Sequence, residues 1–290
     1  MTSEKTREPE PITSHQSLIT EFMERVINII SPVLTPLGIF VIEKTKALGR
    51  WCCFVGETLA WTFRPPFRSV QLFQQMEFVG VKSTWIIVLT AFFSGAVFAL
   101  QIGKVYSLFN MEIMVGATVG LSLTREIGPV FAALMVVARA CSSMAAEIGS
   151  MRVTEQLDAL EAMAVDPIQF LVVPRVWATV LMVPILTVLY DFVGVVGAYL
   201  VGIYVQRISE GPFLTKLYYY VDPDDFWSGL IKAAFFGFFI SLISCYQGYT
   251  TSGGAEGVGR QTTKAVVISS VVVLVLDYFL TSWILEYFLK

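Results

Sequence analysis

The chain has 290 residues, of which 55% are hydrophobic and only 15% charged, and its mean hydropathy is +0.68. A soluble domain is nearer a quarter charged, so this composition predicts a polytopic membrane protein. The net charge of −3 is too weak to indicate a nucleic-acid partner. The single histidine, His15, excludes most His-based catalysis and any His-ligated metal site.

Two further kinds of site are missing from the sequence. It contains no GxxxxGK[ST] motif, so the chain does not bind ATP through a P-loop. The cysteines have neither zinc-finger nor CxxC spacing, so they predict no metal site and no disulfide framework: Cys52, Cys53, Cys141 and Cys245. We therefore expect no cofactor in this chain.

The N-terminal region changes character twice. Residues 1–16 are polar, with charged, Pro and Ser/Thr residues, and are predicted to be disordered. Residues 17–66 are amphipathic but too charged to cross a bilayer, so they predict an interfacial helix on the membrane surface. The Arg64-Pro65-Pro66 run is expected to end this region.

Long apolar segments follow, each close to or above the roughly 20 residues that a span needs. They predict transmembrane helices at 84–103, 116–144, 177–205, 228–249 and 265–289. Lys and Arg concentrate before the first span and in the loops after the second and fourth, which predicts a cytoplasmic N-terminus. With this number of spans, the C-terminus is expected on the far side. The opposite side holds only Lys104, Arg207, Lys216 and Lys290.

The loop 145–175 contains a second amphipathic pattern. Thr154 is predicted to cap a helix at 154–163 whose apolar face includes Leu157 and Leu160. Glu155, Asp158 and Glu161 lie on the opposite face. Such a helix in a cytoplasmic loop suits docking to a soluble partner, although a charged face is also the usual state of a solvated surface helix.

The stretch 122–178 resembles the MlaE/YrbE family, the permease subunits of ABC transporters that work with MCE proteins. The motifs that carry the resemblance are Glu126-Ile127-Gly128-Pro129, Ala138-Arg139, the acidic stretch 147–160, Val165-Asp166-Pro167, Pro174-Arg175, the segment 259–270 and Leu276-Asp277. It covers residues from about 68 to the C-terminus, and the N-terminal 1–35 do not match.

The resemblance implies an all-α integral membrane protein, with an interfacial amphipathic helix followed by a permease domain at 67–290 with five transmembrane helices. It also implies a homodimer that binds two MlaF-like ATPase subunits, an MlaD-like MCE hexamer and a small STAS-domain protein on the ATPase. The implied activity moves phospholipid between the inner and outer membranes of a diderm bacterium and maintains outer-membrane lipid asymmetry. ATP would be hydrolysed by the partner, so the chain itself is expected to be non-catalytic. The coupling helix near 152–164 would contribute Arg152, Glu155, Gln156, Leu157, Asp158, Leu160 and Glu161.

Charged residues inside the spans are the first candidates for a lipid site. Arg125 and Lys232 are predicted contacts for a phosphate headgroup, because both are cations with hydrogen-bond donors. Glu126 would hold Arg125 or a water near the lipid. The alternative is that Arg125 and Glu126 form an intramembrane ion pair that only shapes the helix.

An apolar stripe on the first span is the candidate acyl-chain wall. Phe98, Ile102, Val105 and Phe109 share one face at helical spacing, and the resemblance implies that this region lines the cavity. Because every span has an apolar stripe, ordinary contact with membrane lipid or packing remains the alternative.

Two other function classes stay open at this point. Asp191 and Asp277 lie inside spans, where acids often relay protons in a secondary transporter. A structural hydrogen bond to a neighbouring helix is the other interpretation of each. A lipid-modifying membrane enzyme is the weakest hypothesis, because the spans contain no His and no carboxylates paired closely in sequence.

Overall fold

The computed structural model describes residues 42–43, 45–62, 64–65 and 69–287. The chain divides into two compact units, residues 1–54 and 55–290. In the first unit the described residues are helical. The disorder predicted for residues 1–16 and the first part of the interfacial region predicted at 17–66 lie outside the described residues. The location of that region at a membrane surface stays a prediction.

The second unit begins with helical residues 55–62, and Arg64 and Pro65 then form a bend. It continues as a series of helices, and every regular element among the described residues is helical. The helices are α1 (Ser69–Ser107), α2 (Glu112–Val153), α3 (Gln156–Ala162), α4 (Ile168–Val205), α5 (Glu210–Tyr220), α6 (Pro223–Tyr249) and α7 (Gly254–Tyr287).

Helices α1, α2, α4, α6 and α7 are long and apolar enough to cross a membrane, α7 over Gly254–Ile284. This confirms the predicted all-α membrane fold with five spans. Several of these helices are longer than the apolar segments predicted from the sequence, because polar turns continue the helix. The Gln-rich helical segment Ser69–Met76, for example, precedes the apolar part of α1 without a break.

Short π-helical turns interrupt three of the spans, where the backbone bonds from i to i+5 rather than i+4. They lie at Glu77–Val81 in α1, Leu123–Ile127 and Val137–Cys141 in α2, and Ile168–Val172 and Val201–Val205 in α4. Turns of this kind are frequent at functional positions. The two in α2 contain the charged residues that the sequence places inside that span.

The π turns of α1 and α2 contact each other through Arg139. Its Nη1 donates to the carbonyl oxygen of Phe78, and its guanidinium carbon lies 4.6 Å from the centre of the Phe78 ring. Arg139 therefore connects two spans.

The helices pack closely where small residues allow it. A Cβ on Gly95 of α1 would collide with the carbonyl oxygen of Gly194 on α4, so the two backbones touch at this point.

The core lies mainly along α2 and α6, whereas α7 leaves a broad apolar face exposed. The exposed residues of that face include Val271, Leu274, Val275, Tyr278 and Phe279.

Two sequence predictions about helix limits are wrong. Thr154 does not cap α3, because its hydroxyl donates to the Ser150 carbonyl of the preceding helix at 2.9 Å. Glu155 occupies the N-cap position in a left-handed conformation, with φ of 59°. Phe109 lies beyond the end of α1, in a turn, and so does not continue the helical stripe.

Candidate functional site

The π turn Leu123–Ile127 presents Arg125 and Glu126, and Gly128-Pro129 follow it. Because proline has no backbone N–H, Pro129 leaves the carbonyl oxygen of Arg125 without its α-helical donor. The side chain of Lys232 from α6 replaces that donor, and its Nζ lies 3.0 Å from the Arg125 carbonyl oxygen.

Lys232 is the centre of a charged cluster, which consists of Arg125, Glu126, Asp225, Lys232, Asp277 and Thr281. Its Nζ also donates to Glu126 Oε2 at 2.8 Å and to the Thr281 hydroxyl at 2.6 Å. Asp277 Oδ1 lies 3.5 Å from the same nitrogen. Only 2% of the Lys232 side chain is exposed. The buried ammonium therefore joins α2, α6 and α7, and its N–H groups are directed at protein oxygens.

Arg125 forms the second ion pair of the cluster. Its Nε lies 2.7 Å and its Nη2 2.5 Å from Asp225 Oδ1. The other Asp225 oxygen accepts the backbone N–H of Asp222 at 3.1 Å, in the capping box that begins α6. Arg125 thus holds the start of α6 against the π turn of α2.

The predicted pairing of Glu126 with Arg125 is wrong. Glu126 binds Lys232, and Arg125 binds Asp225. Neighbouring residues on a helix do not face each other, so each side chain meets a different part of α6.

Only part of the cluster is open. The side chains of Arg125 and Glu126 are 35% and 40% exposed, whereas Lys232 and Asp225 are buried. Among the described residues, none accepts a hydrogen bond from Arg125 Nη1. A phosphate would reach Lys232 only by displacing a protein oxygen. Within the described part of this cluster, Arg125 is therefore the cation that is available to an anionic ligand.

The site residues predicted from the sequence do not include Asp225 and Thr281. Asp225 had a detectable signal, because Asp222-Pro223-Asp224-Asp225 places an acid three residues after a helix cap with proline at the first helical position. Thr281 lies four residues after Asp277, which places both on one face of α7.

The predicted acyl-chain stripe is divided in the structure. Phe98 and Ile102 are partly buried and pack against the core, whereas Val105 is 52% exposed. Val97, which the stripe would place on another face, is 49% exposed. The exposed surface of α1 runs instead along Trp85, Leu89, Phe93, Val97 and Leu100.

Helix α3 is the candidate coupling element. Leu157 is buried and Leu160 partly buried, so they attach the helix to the rest of the unit. Arg152 Nη1 lies 2.5 Å from Asp158 Oδ1, and the Arg152 guanidinium carbon lies 5.9 Å from the centre of the Tyr249 ring. The exposed positions are Glu155, Gln156, Asp158 and Glu161.

A cavity of about 330 Å³ adjoins α3. Three of its lining residues are acids, and the lining includes Glu57, Glu161, Asp166, Pro167 and Tyr249. Asp166 is also a helix cap, since its Oδ1 accepts the backbone N–H of Ile168 at 2.8 Å at the start of α4. The open surface beside α3 is consequently acidic.

The two acids of the secondary-transporter hypothesis have different surroundings. Asp277 lies beside Lys232 in the charged cluster. Asp191 is buried in α4 against Gly128 of α2. No described hydrogen bond or ion pair joins them, so the described contacts do not form a relay between the two carboxyl groups.

Comparison with known proteins agrees with this architecture. A profile of the family "Permease MlaE" matches residues 72–283. A "Probable ABC transporter permease protein" of Rickettsia felis is 44% identical over 249 residues, which cover 86% of this chain and 96% of the relative. The "Intermembrane phospholipid transport system permease protein MlaE" of Haemophilus influenzae is 39% identical over 260 residues, 89% of this chain and 97% of the relative. With its five apolar spans, the chain belongs to the MlaE permease family.

Proposed function

We propose that this chain is the membrane-spanning subunit of an ABC transporter that moves phospholipid between the inner and outer membranes, and so maintains outer-membrane lipid asymmetry. In this proposal it lies in the inner membrane of a diderm bacterium. Its N-terminus is cytoplasmic and its C-terminus periplasmic, as the Lys and Arg distribution suggests. ATP hydrolysis is the task of a separate subunit, and a phospholipid bound to this chain is the substrate.

The observation that carries the proposal is the partly exposed Arg125 within an apolar span of an MlaE-family chain. An arginine inside a membrane helix is unfavourable, by at most roughly 2.5–3.5 kcal/mol at the helix centre on insertion scales. Asp225 offsets part of this cost, and Nη1 still has no acceptor among the described residues. A lipid phosphate is the anion that a membrane supplies, and the guanidinium fork matches its oxygens. Glu126 and Lys232 support the site by fixing the backbone beside Arg125.

The proposed assembly is a homodimer with two ATPase subunits, an MCE-domain hexamer and a STAS-domain protein on the ATPase. The exposed apolar face of α7 supports a helix-packing partner within the membrane. The acidic surface of α3 supports contact with an ATPase, with basic groups as its complement. The Haemophilus relative, named as part of an intermembrane phospholipid transport system, supports the phospholipid cargo.

The test is lipid retention and ATP-driven transport by the purified, reconstituted complex. Arg125→Ala should lower the phospholipid that co-purifies with the complex, as measured by mass spectrometry, and should lower transport. Arg125→Lys should recover only part of both, because lysine lacks the planar fork. Lys104→Ala, at an exposed position near the end of α1, is the matched control.

Two results would contradict the proposal. One is normal lipid retention and transport in Arg125→Ala. The other is transport by the chain without any ATPase, driven by a proton gradient and lost in Asp277→Asn, which would favour the secondary-transporter hypothesis.

A further inference from the structure

Asp191 is a buried acid that the proposed lipid site does not use. It lies near the middle of α4, is 5% exposed, and its Oδ1 is fully buried without a hydrogen-bond partner. Among the described residues no donor reaches either carboxyl oxygen, and no cation pairs with the group. An ionised carboxylate buried in this way without a counter-ion is very unfavourable.

The surroundings of Asp191 explain how it is accommodated. A Cβ on Gly128 would collide with Asp191 Oδ1 and would also lie 2.8 Å from the Leu123 carbonyl oxygen. Two oxygens therefore flank the small gap that the glycine leaves. The Leu123 oxygen accepts the backbone N–H of Gly128 and closes the π turn. A carbonyl oxygen has two lone pairs, so it can accept a second hydrogen bond.

Both oxygens lie within 2.8 Å of the Cβ position of Gly128. Two acceptor oxygens this close to one point attract each other only if one of them carries a proton. We propose that Asp191 is a neutral carboxylic acid that donates its hydrogen bond to the Leu123 carbonyl oxygen and thereby positions the π turn that presents Arg125 and Glu126. Asp191 is then a positioning residue. Its link to lipid rests on the proposed function, whereas its protonation and its hydrogen bond do not.

Among the described residues, no other titratable group forms a hydrogen bond or ion pair with Asp191. Tyr190, the neighbour in sequence, has its hydroxyl 2.6 Å from the Ser94 hydroxyl on α1. On α2, the Gly128 backbone and the Leu123 carbonyl lie beside the Asp191 carboxyl group, and neither of them titrates. Arg125 and Glu126 belong to the same π turn, and their ion-pair partners are Asp225 and Lys232.

The first test is infrared spectroscopy of the full chain in lipid nanodiscs at neutral pH. The wild-type protein should show the carbonyl stretch of a protonated carboxyl group in a dry environment. Asp191→Asn should remove this band, and Asp158→Asn, at an exposed position on α3, should leave it unchanged. A wild-type spectrum without the band, or a band that persists in Asp191→Asn, would overturn the proposal.

The second test separates the hydrogen bond from simple volume. Asparagine keeps the size of Asp191 and supplies N–H donors, whereas leucine fills the space without a donor. Asp191→Asn should melt close to the wild-type temperature and retain ATP-driven lipid transport, whereas Asp191→Leu should melt lower and lose transport. If the two variants had equal melting temperatures, the hydrogen bond would not contribute to stability and the proposal would be wrong. Loss of transport in a stable Asp191→Asn chain would overturn the positioning role of Asp191, because asparagine keeps the hydrogen-bond donor.

A third measurement requires no substitution. Solid-state NMR of the wild-type chain with isotope-labelled aspartate reports the protonation of each carboxyl group at neutral pH. One neutral aspartate is expected, and a fully ionised set would overturn the proposal even if Asp191→Asn failed to fold. The outcome does not depend on lipid, so the proposed function and this inference can fail separately.

Discussion

Lys232 Nζ lies 3.0 Å from the carbonyl oxygen of Arg125, the oxygen that Pro129 deprives of its α-helical donor. A side chain of one span thus completes the backbone hydrogen bonding of another. In a membrane an unsatisfied carbonyl is costly, so this contact is a reason for Lys232 to be buried.

Removal of Lys232 should destabilise the membrane unit. Lys232→Met leaves Glu126 and the Arg125 carbonyl without their donor, at a cost of about 2–3 kcal/mol, somewhat less than for a fully buried pair because Glu126 is partly exposed. The midpoint of thermal unfolding in detergent should fall, and Lys104→Met, on the surface, should leave it unchanged. The double variant Lys232→Met with Glu126→Gln should lose less stability than the two single variants lose in sum. Unaltered unfolding of Lys232→Met would contradict this account.

Close packing of α1 on α4 predicts intolerance of larger residues at Gly95. Gly95→Ala places a methyl group against the Gly194 carbonyl oxygen, so the helices must separate, at a cost of about 1–3 kcal/mol. Gly259→Ala is the control, because a Cβ there meets no atom within 4 Å. The melting temperature should fall for Gly95→Ala and should stay level or rise slightly for Gly259→Ala. If both variants had the same melting temperature, the close approach of α1 and α4 would not contribute to stability.

Charge reversal on α3 should affect partner binding rather than folding. The Arg152–Asp158 ion pair lies at the surface and is worth about 0–1 kcal/mol, so Glu155→Lys with Asp158→Lys should leave the membrane unit folded. Co-elution of the ATPase and lipid transport should both decrease. Glu112→Lys, an exposed site at the opposite end of α2, should change neither. Normal ATPase binding by the double variant would make α3 only a solvated surface helix.

Photo-crosslinking can decide whether α1 lines a lipid pathway. Crosslinkers at Val105 and Phe109 should capture phospholipid, and Phe98 should capture less because it packs against the core. Ala99, which is fully buried, is the negative control. Val97 is about as exposed as Val105, so equal labelling at these two positions would identify the surface as ordinary contact with the bilayer.

The number of spans could be predicted from the sequence because burial in lipid requires long apolar helices, whatever their tertiary contacts. Arg125, Glu126 and Lys232 could also be recognised as special because charge is rare in such segments. Their partners could not be assigned. Which acid meets Arg125 depends on the packing of α6 against a π turn, and the sequence does not reveal that the turn is π-helical.

Helix α3 shows the same limit on a smaller scale. The apolar positions Leu157 and Leu160 predicted the helix and its inward face correctly. Thr154 is a good cap by residue type. Its hydroxyl instead donates to a carbonyl of the preceding helix, since Thr hydroxyls can also donate to the carbonyl four residues earlier. Local preference allowed both arrangements, and the tertiary fold selected one.

The π turns of α2 also change how its surface must be mapped. Each turn accommodates one extra residue, which advances the angular phase of the helix by about 100°. Two such turns, at Leu123–Ile127 and Val137–Cys141, divide α2 into three stretches with separate phases. A scan that plots labelling of this span on a single helical wheel would therefore mix opposite sides, and each stretch needs its own wheel.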